Sequence, residues 1–241
     1  LNRDLKDYIN KCRECRENRP AQRKEPLRPT ELPERPWQKL GADILTFENK
    51  DYLAVVDYYS RWLELVQLHS KSAETVVRKF RDIFKTHGIP DMVVSDHVPF
   101  QSREFRDFAQ EFGFQQQTSS PAFPQANGEA ESSVKIATKI LRQSAPDIAL
   151  PNYRATPHSS TGVSPARALM GRELKTKVPV LPEVLIPDPV DDSDVRAADQ
   201  KTKRAYKQNY DRRHGTVSLS PLNTGDPVLI KLDGERKWDT E

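Results

Sequence analysis

The chain has 241 residues, of which 36% are apolar and 30% charged, with 19 Pro, 9 Gly, 2 Cys and a formal net charge of +3. That length suits one domain of ordinary size with attachments, and two cysteines are too few for a disulfide scaffold. No run approaches the roughly 20 apolar residues of a membrane span and no signal peptide opens the chain, so membrane and secreted classes are set aside. The first residue is Leu rather than Met, which reads as a fragment.

Taken in order, Leu5, Tyr8, Ile9 and Cys12 share one face of a short N-terminal helix. Five prolines from Pro20 to Pro36, and later Pro179, Pro182, Pro187 and Pro189, mark two extended linkers. Proline fixes φ and removes a backbone donor, so such clusters resist helix and sheet. Between them, residues 37–178 form the segment able to bury a sizeable core. Residues 40–47, 52–57 and 63–68 are short β-prone runs, the first two separated by a polar turn containing Asn49 and Lys50, and they read as an antiparallel meander. Ser72 caps a helix carrying Val76, Val77, Phe80, Ile83 and Phe84 on one face, with Gly88 past its end. Residues 92–95 are a short buried strand. Ser102 caps a second helix bearing Phe105, Phe108, Ala109 and Phe112, stopped by Gly113. Residues 114–118 read as a strand, 119–128 (SSPAFPQANG) as a loop and 129–143 as a helix. Three hairpin strands followed by alternating helix and strand predict an α/β sandwich with a mixed sheet. Beyond the second linker, 196–214 reads as a basic helix, and 227–232 as a strand entering an Asp233-Gly234 turn.

Charge is unevenly distributed. Residues 178–195 hold five acids (Glu183, Asp188, Asp191, Asp192, Asp194) and no Lys or Arg, and without them the net charge rises from +3 to +8. The stretch 196–214 has seven cations against two acids. A nearly neutral chain therefore reads as an acidic tether joining two basic parts.

Three acids stand out by position. Asp43 sits among apolar neighbours in the first strand, Asp96 ends the fourth, and Glu131 lies in the first turn of the helix after the Pro-rich loop. If the first and fourth strands are adjacent, both aspartates reach one end of the sheet, with Glu131 over them. Clustered carboxylates repel unless a cation neutralises them, and hard divalent ions prefer such oxygen ligands. The plainer alternative is that each Asp is satisfied by a Lys, a Ser or a backbone amide, and that Glu131 favours its helix N-terminus.

The segments RPWQKLGADIL, KDYLAVVDYYSRWLELVQL, GIPDMVVSD, SSPAFPQANGEAE and NYRATPHSSTGVSPARALMGR closely resemble the integrase of gypsy-like LTR retroelements, in the family's order and over almost the whole chain. The resemblance implies a ribonuclease-H-like core, with a mixed five-stranded sheet flanked by helices, and an Asp-Asp-Glu triad binding two Mg²⁺ or Mn²⁺ ions. Residue by residue, the triad falls on Asp43, Asp96 and Glu131. The family's N-terminal zinc domain uses two His and two Cys ligands. Cys12 and Cys15, in KCREC, match the cysteine pair, but no His precedes them. Zn²⁺ would then require a His pair lost by truncation, and the alternative is a helix-end CxxC without metal. YDRRHG and LNTGDPVLIKLDGERKW resemble the entry into the SH3-like barrel that follows integrase cores. The implied organisation is a partial zinc-binding segment (1–19), a Pro-rich linker (20–36), the catalytic core (37–178), an acidic linker (179–195), a basic helix (196–214) and the start of a DNA-binding barrel (215–241).

Departures bear on activity. After Asp96 the family usually has Asn-Gly-Pro-Gln-Phe, whereas this chain has His97-Val98-Pro99-Phe100, one residue shorter and with Val in place of Gly. Asp96 and Glu131 are accordingly separated by 34 residues where the family has 35. The deletion lies in a loop, so the fold is expected to survive. Pro151 falls where the family has an apolar helix residue and is expected to break or shift that helix. Glu131, Lys135, Thr138 and Arg142 share one helix face, with Lys139 close by, and Lys135, Lys139 and Arg142, with Gln125 and Asn127, are candidate DNA contacts. A solvated face with a Glu–Lys pair is the alternative. Arg154 and His158 are structural or DNA-facing. The resemblance implies DNA integration: trimming of the 3′ end of element DNA, then transfer of that end into target DNA, by a self-associating nuclear (otherwise cytoplasmic) protein. The alternative is a catalytically degenerate, host-retained DNA- or chromatin-binding protein.

Overall fold

The computed structural model describes residues 2–12, 14, 15, 18, 24–96, 98–118, 128–219, 221 and 223–225. They divide into two compact units, Leu1–Arg28 with Ala205–Glu241, and Pro29–Arg204. No helix among the described residues is long and apolar enough to cross a membrane.

The larger unit is built on a five-stranded sheet. Strand β1 (Lys39–Phe47) pairs antiparallel with β2 (Lys50–Asp57), and β2 pairs antiparallel with β3 (Leu63–Leu68). Strand β4 (Met92–Ser95) lies parallel to β1, and β5 (Gln115–Thr118) parallel to β4, giving the order β3-β2-β1-β4-β5. The meander and the mixed sheet read from the sequence are therefore present. The first turn is shifted by one residue. Phe47 pairs with Lys50, leaving Glu48 and Asn49 as a two-residue turn with φ of 47° and 60°. Two consecutive positive φ values match the right-handed twist of the flanking strands.

Helices α2 (Ala73–His87) and α3 (Arg103–Phe112) start and stop as their sequences predict. Ser72 accepts a hydrogen bond from the Thr75 N–H, and Ser102 from the Phe105 N–H. Gly88 and Gly113 follow with φ of 88° and 75°. Their apolar faces bury Phe80, Phe84, Phe105 and Phe108 against Leu40, Ala42, Leu53, Val55 and Val93 on one face of the sheet. Phe114, expected to open the last strand, instead fills this core, and pairing begins at Gln115.

The opposite face is covered by α4 (Gly128–Leu141) and α5 (Pro146–Arg154), whose Ala137, Ile140, Leu141 and Ala149 pack on Leu45, Ala54, Val56 and Leu63. Pro151 does not break α5. In a helix this short, the proline removes a single ladder bond, the one to residue 147, and its own carbonyl still accepts from Ala155 at 3.0 Å. A short helix α6 (Pro165–Met170) and a 3₁₀ turn (Pro182–Leu185) follow.

The last helix, α7 (Asp192–His214), begins four residues earlier than its basic composition suggests. Asp191 accepts the Ser193 N–H at 2.8 Å, and Asp192 and Asp194 sit in the first turn, where the helix dipole favours negative charge. The end of the acidic stretch is thus helix rather than linker. Val195 and Asp199 are buried. Asp199 accepts from the buried Arg61 at 2.9 Å and pairs with Lys203 at 2.6 Å, while Asp192 binds the Tyr59 hydroxyl at 2.7 Å. Arg61 itself has φ of 64° in the β2–β3 turn, where its carbonyl accepts from Tyr153 at 2.8 Å.

In the smaller unit, α1 (Asn2–Lys11) leaves Leu5, Tyr8 and Ile9 exposed. The linker lies along the last turns of α7, with the Leu27 N–H on Asp211 at 2.9 Å and Lys207 on the Leu27 carbonyl at 2.7 Å. The strand expected at 227–232 lies outside the described residues.

Asp199→Ala would leave Arg61 buried without its carboxylate, and should lower stability by about 3–5 kcal/mol in urea denaturation. Asp91→Ala, which removes the exposed Arg35–Asp91 pair, should cost under about 1 kcal/mol. Glu64 offers a pH test. Burial alone would raise its carboxyl, but hydrogen bonds from His87 and Trp62 and the Arg154 guanidinium hold it below its ordinary value. A depressed folded value adds stability above the ordinary carboxylate range, and that stability is lost as pH falls through the folded value. The urea midpoint should therefore drop between about pH 5 and pH 3, and Glu64→Gln should flatten that drop.

Candidate catalytic site

Asp43 lies in β1, and Asp96 directly follows β4. The parallel register pairs Ala42 with Ser95, so the two aspartates are the next residues on neighbouring strands, which run about 4.8 Å apart. Side-chain alternation assigns the face. Leu40, Ala42 and Val93 point into the core under α2 and α3, whereas Leu45 packs under α4. Asp43 shares the phase of Leu45, and Asp96, one residue beyond Ser95, continues the same phase. Asp43 is half-buried and accepts the Ile44 N–H at 2.7 Å, while Asp96 is exposed.

Helix α4 packs across β1, β2 and β3 on this face. Glu131 is in its first turn, but the Glu131 side chain, Gln125, Asn127 and His97 lie outside the described residues. Two of the three expected carboxylates are therefore brought together. Adjacent carboxylate oxygens are the donor type a hard divalent cation takes. Among the described residues, no three His, Cys, Asp or Glu side chains converge as a metal-binding group.

On α4, Lys135 and Lys139 are exposed, and Arg142 is exposed just past the helix end, opposite the buried Ala137, Ile140 and Leu141. The Thr138 hydroxyl donates to the Val134 carbonyl at 2.8 Å.

Arg154 and His158 have structural positions. Arg154 donates to the Leu63 carbonyl at 2.7 Å, pairs with Glu64 at 3.0 Å and stands 4.1 Å over the Trp62 ring. His158 hydrogen-bonds Ser160 at 2.8 Å, and burial and then the Arg61 charge depress its pKa. The Arg61–Asp199 pair escaped sequence reading. Its one signal was an Asp in a strongly basic helix. In the smaller unit, Cys12 and Cys15 are free thiols that hydrogen-bond each other. Bonds from the Cys15 backbone and thiol hold Cys12 below the ordinary thiol value, and the same contact pushes Cys15 up. Two sulfurs fit half of a tetrahedral zinc donor set.

Residues 33–124 match the family described as Integrase core domain. Over those residues the chain is similar to an integrase core domain. The matched residues include Asp43 and Asp96 and end before Glu131. The uncharacterized protein K02A2.6 of Caenorhabditis elegans is 31% identical over 193 residues, 75% of this chain and 15% of that protein. The Transposon Tf2-3 polyprotein of Schizosaccharomyces pombe is 31% identical over 153 residues, 59% of this chain and 11% of the polyprotein. The chain thus spans a small part of each relative's length. Among solved structures, the simian T-cell lymphotropic virus intasome in complex with PP2A regulatory subunit B56 gamma matches with a TM-score of 0.64 at 15% identity, covering 99% of this chain and 79% of that one. At that identity the match speaks for the fold. The resemblance to retroelement integrases and the ribonuclease-H-like core are borne out.

Proposed function

We propose that this integrase core joins DNA ends, the 3′ end of element DNA being trimmed by water and the freed 3′-OH then displacing at a target phosphodiester. The observation that carries the reading is the parallel pairing of β1 with β4, which sets Asp43 beside Asp96. Asp43, Asp96 and Glu131 would hold two Mg²⁺ or Mn²⁺ ions, which when bound supply charge for the attacking and leaving oxygens of phosphodiester displacement. Asp43, half-buried and fixed by the Ile44 N–H, orients one donor from the sheet. Asp96 supplies the second from the strand end. Lys135, Lys139 and Arg142 neutralise DNA phosphates along the exposed face of α4 and so fix the position of the DNA end. Gln125 and Asn127, in the loop before α4, would contribute further polar contacts. The Cys12–Cys15 pair would be the cysteine half of a zinc site completed by a His pair. DNA ends, target DNA and further copies of the chain are its partners, and the nucleus is where the reaction would take place.

The shortened loop after Asp96 favours a second reading, a DNA-binding protein that keeps the fold without the chemistry. A strand-transfer assay on a pre-cut DNA end with Mg²⁺ or Mn²⁺ separates the two. We expect joining that falls about a hundredfold or more in Asp96→Asn and Glu131→Gln. Lys139→Ala should instead weaken DNA binding and reduce its salt slope by about 1. DNA binding without joining would establish the second reading, and cleavage confined to RNA–DNA hybrids would point to a nuclease.

A further inference from the structure

Lys39, the first residue of β1, has surroundings that oppose its charge. It is half-buried, and its ammonium stands 4.9 Å from the centre of the Tyr58 ring. The ring face attracts a cation but supplies no acceptor for its N–H groups. Burial, and then the charge of Lys203 on α7, push the Lys39 pKa below the ordinary lysine value, and no carboxylate counters them.

No nearby acid is left for it among the described residues. Asp57 lies opposite Leu40, but it shares the phase of Leu53 and Val55 and so faces the other side of the sheet, where the Ser60 hydroxyl donates to it at 2.5 Å. Asp199 is shared between Arg61 at 2.9 Å and Lys203 at 2.6 Å. Asp192 is taken by Arg196 and by the Tyr59 hydroxyl. Asp194 is about 13 Å along α7 from Lys203, at the helical rise per residue. Arg61, Lys203 and Lys39 therefore have one carboxylate among them, and two positive charges stand in excess.

The chemistry of the donors limits the ligand. Each ammonium has three N–H donors and no acceptor, so Lys203 keeps donors to spare beside Asp199. Flat carboxylates suit the paired fork of Arg, whereas lysine binds phosphate as a point charge. A backbone phosphodiester carries a single charge, but a terminal phosphate carries about 1.5–2 negative charges at pH 7 and matches the excess more closely. Half-burial points the same way, since a chain end reaches a recessed ammonium that the side of a duplex passes over. We propose that Lys39 and Lys203 together hold the terminal phosphate of a nucleotide, a polyphosphate or a 5′-phosphorylated DNA end. Lys39 is on the same face of the sheet as Asp43 but about 13 Å before it along β1, so this site is separate from the proposed metal ligands. A phosphate bound there would tie α7 to the start of the strand.

Amine-acylation footprinting of the full chain in metal-free buffer, read by mass spectrometry, tests this without any substitution. Saturating tripolyphosphate should slow modification of Lys39 and Lys203 about tenfold or more and leave exposed Lys50 unchanged. Sodium chloride at equal ionic strength should protect neither. In thermal melts at constant ionic strength, tripolyphosphate should raise the midpoint, and Lys39→Met should weaken that binding about tenfold or more. Without the anion, Lys39→Met should melt no lower than the unsubstituted chain, because a repulsive charge has gone. Protection by a 5′-phosphorylated oligonucleotide and not by its 5′-hydroxyl counterpart would support the site and make a DNA end its source of phosphate. Protection by tripolyphosphate and by neither oligonucleotide would support it with a free polyphosphate or nucleotide as the source. Equal protection by both oligonucleotides would overturn the terminal-phosphate assignment, and protection by none of these probes, or by chloride alone, would overturn the site. No readout uses bound metal or strand transfer, so failure of the proposed chemistry leaves the test intact.

Discussion

Parallel pairing of β1 with β4 constrains almost everything around it. Two parallel strands cannot be joined by a tight turn, so the chain must cross over the sheet between them. Here that crossover runs through β2, β3 and α2, and a second one, α3, leads from β4 to β5. The crossings put helices on one face, and α4 and α5 close the other. The same pairing brings Asp43 and Asp96 into register. Fold and site thus depend on one row of backbone hydrogen bonds, in which no side chain of the site takes part.

Legibility in the sequence followed the range of the interactions involved. The capped helices were readable because Ser72, Gly88, Ser102 and Gly113 act on their own neighbours, with nothing distant needed. The meander was readable because hairpin partners are close in sequence. Adjacency of β1 and β4 was a conditional guess, since some fifty residues separate Asp43 from Asp96 and composition holds no record of their pairing. The start of α7 was misjudged for a different reason. Aspartates beside prolines look like solvated linker, but Asp191, Asp192 and Asp194 satisfy a helix N-terminus. Pro151 was misjudged because the general penalty for an interior proline shrinks in a helix with few ladder bonds to lose. The candidate pair Asp43 and Asp96 could be named from motif wording. Arg61 and Asp199 lie 138 residues apart and could be found only in three dimensions.

Two kinds of electrostatics coexist in the larger unit. Around Arg61, Asp199 and Lys203, and around Glu64 and Arg154, charges are buried or half-buried and matched, so their role is to hold particular elements together. At Asp43 and Asp96, charges of one sign are set side by side where solvent reaches them. Burying matched charges makes an arrangement specific, whereas setting like charges at adjacent strand positions suits a cation. The division separates scaffold from site without reference to any motif.

Strand β2 is enclosed on both faces. Its Leu53 and Val55 enter one core, and its Ala54 and Val56 the other. The loop after Asp96, by contrast, carries Val98 at 85% exposure. A lineage accumulating random substitutions is therefore purged of changes in β2, where either face registers a lost or added methyl, long before it is purged of changes beside Asp96. Released from selection for activity, such a gene would wear away at the loop first and keep a foldable, expressible shell.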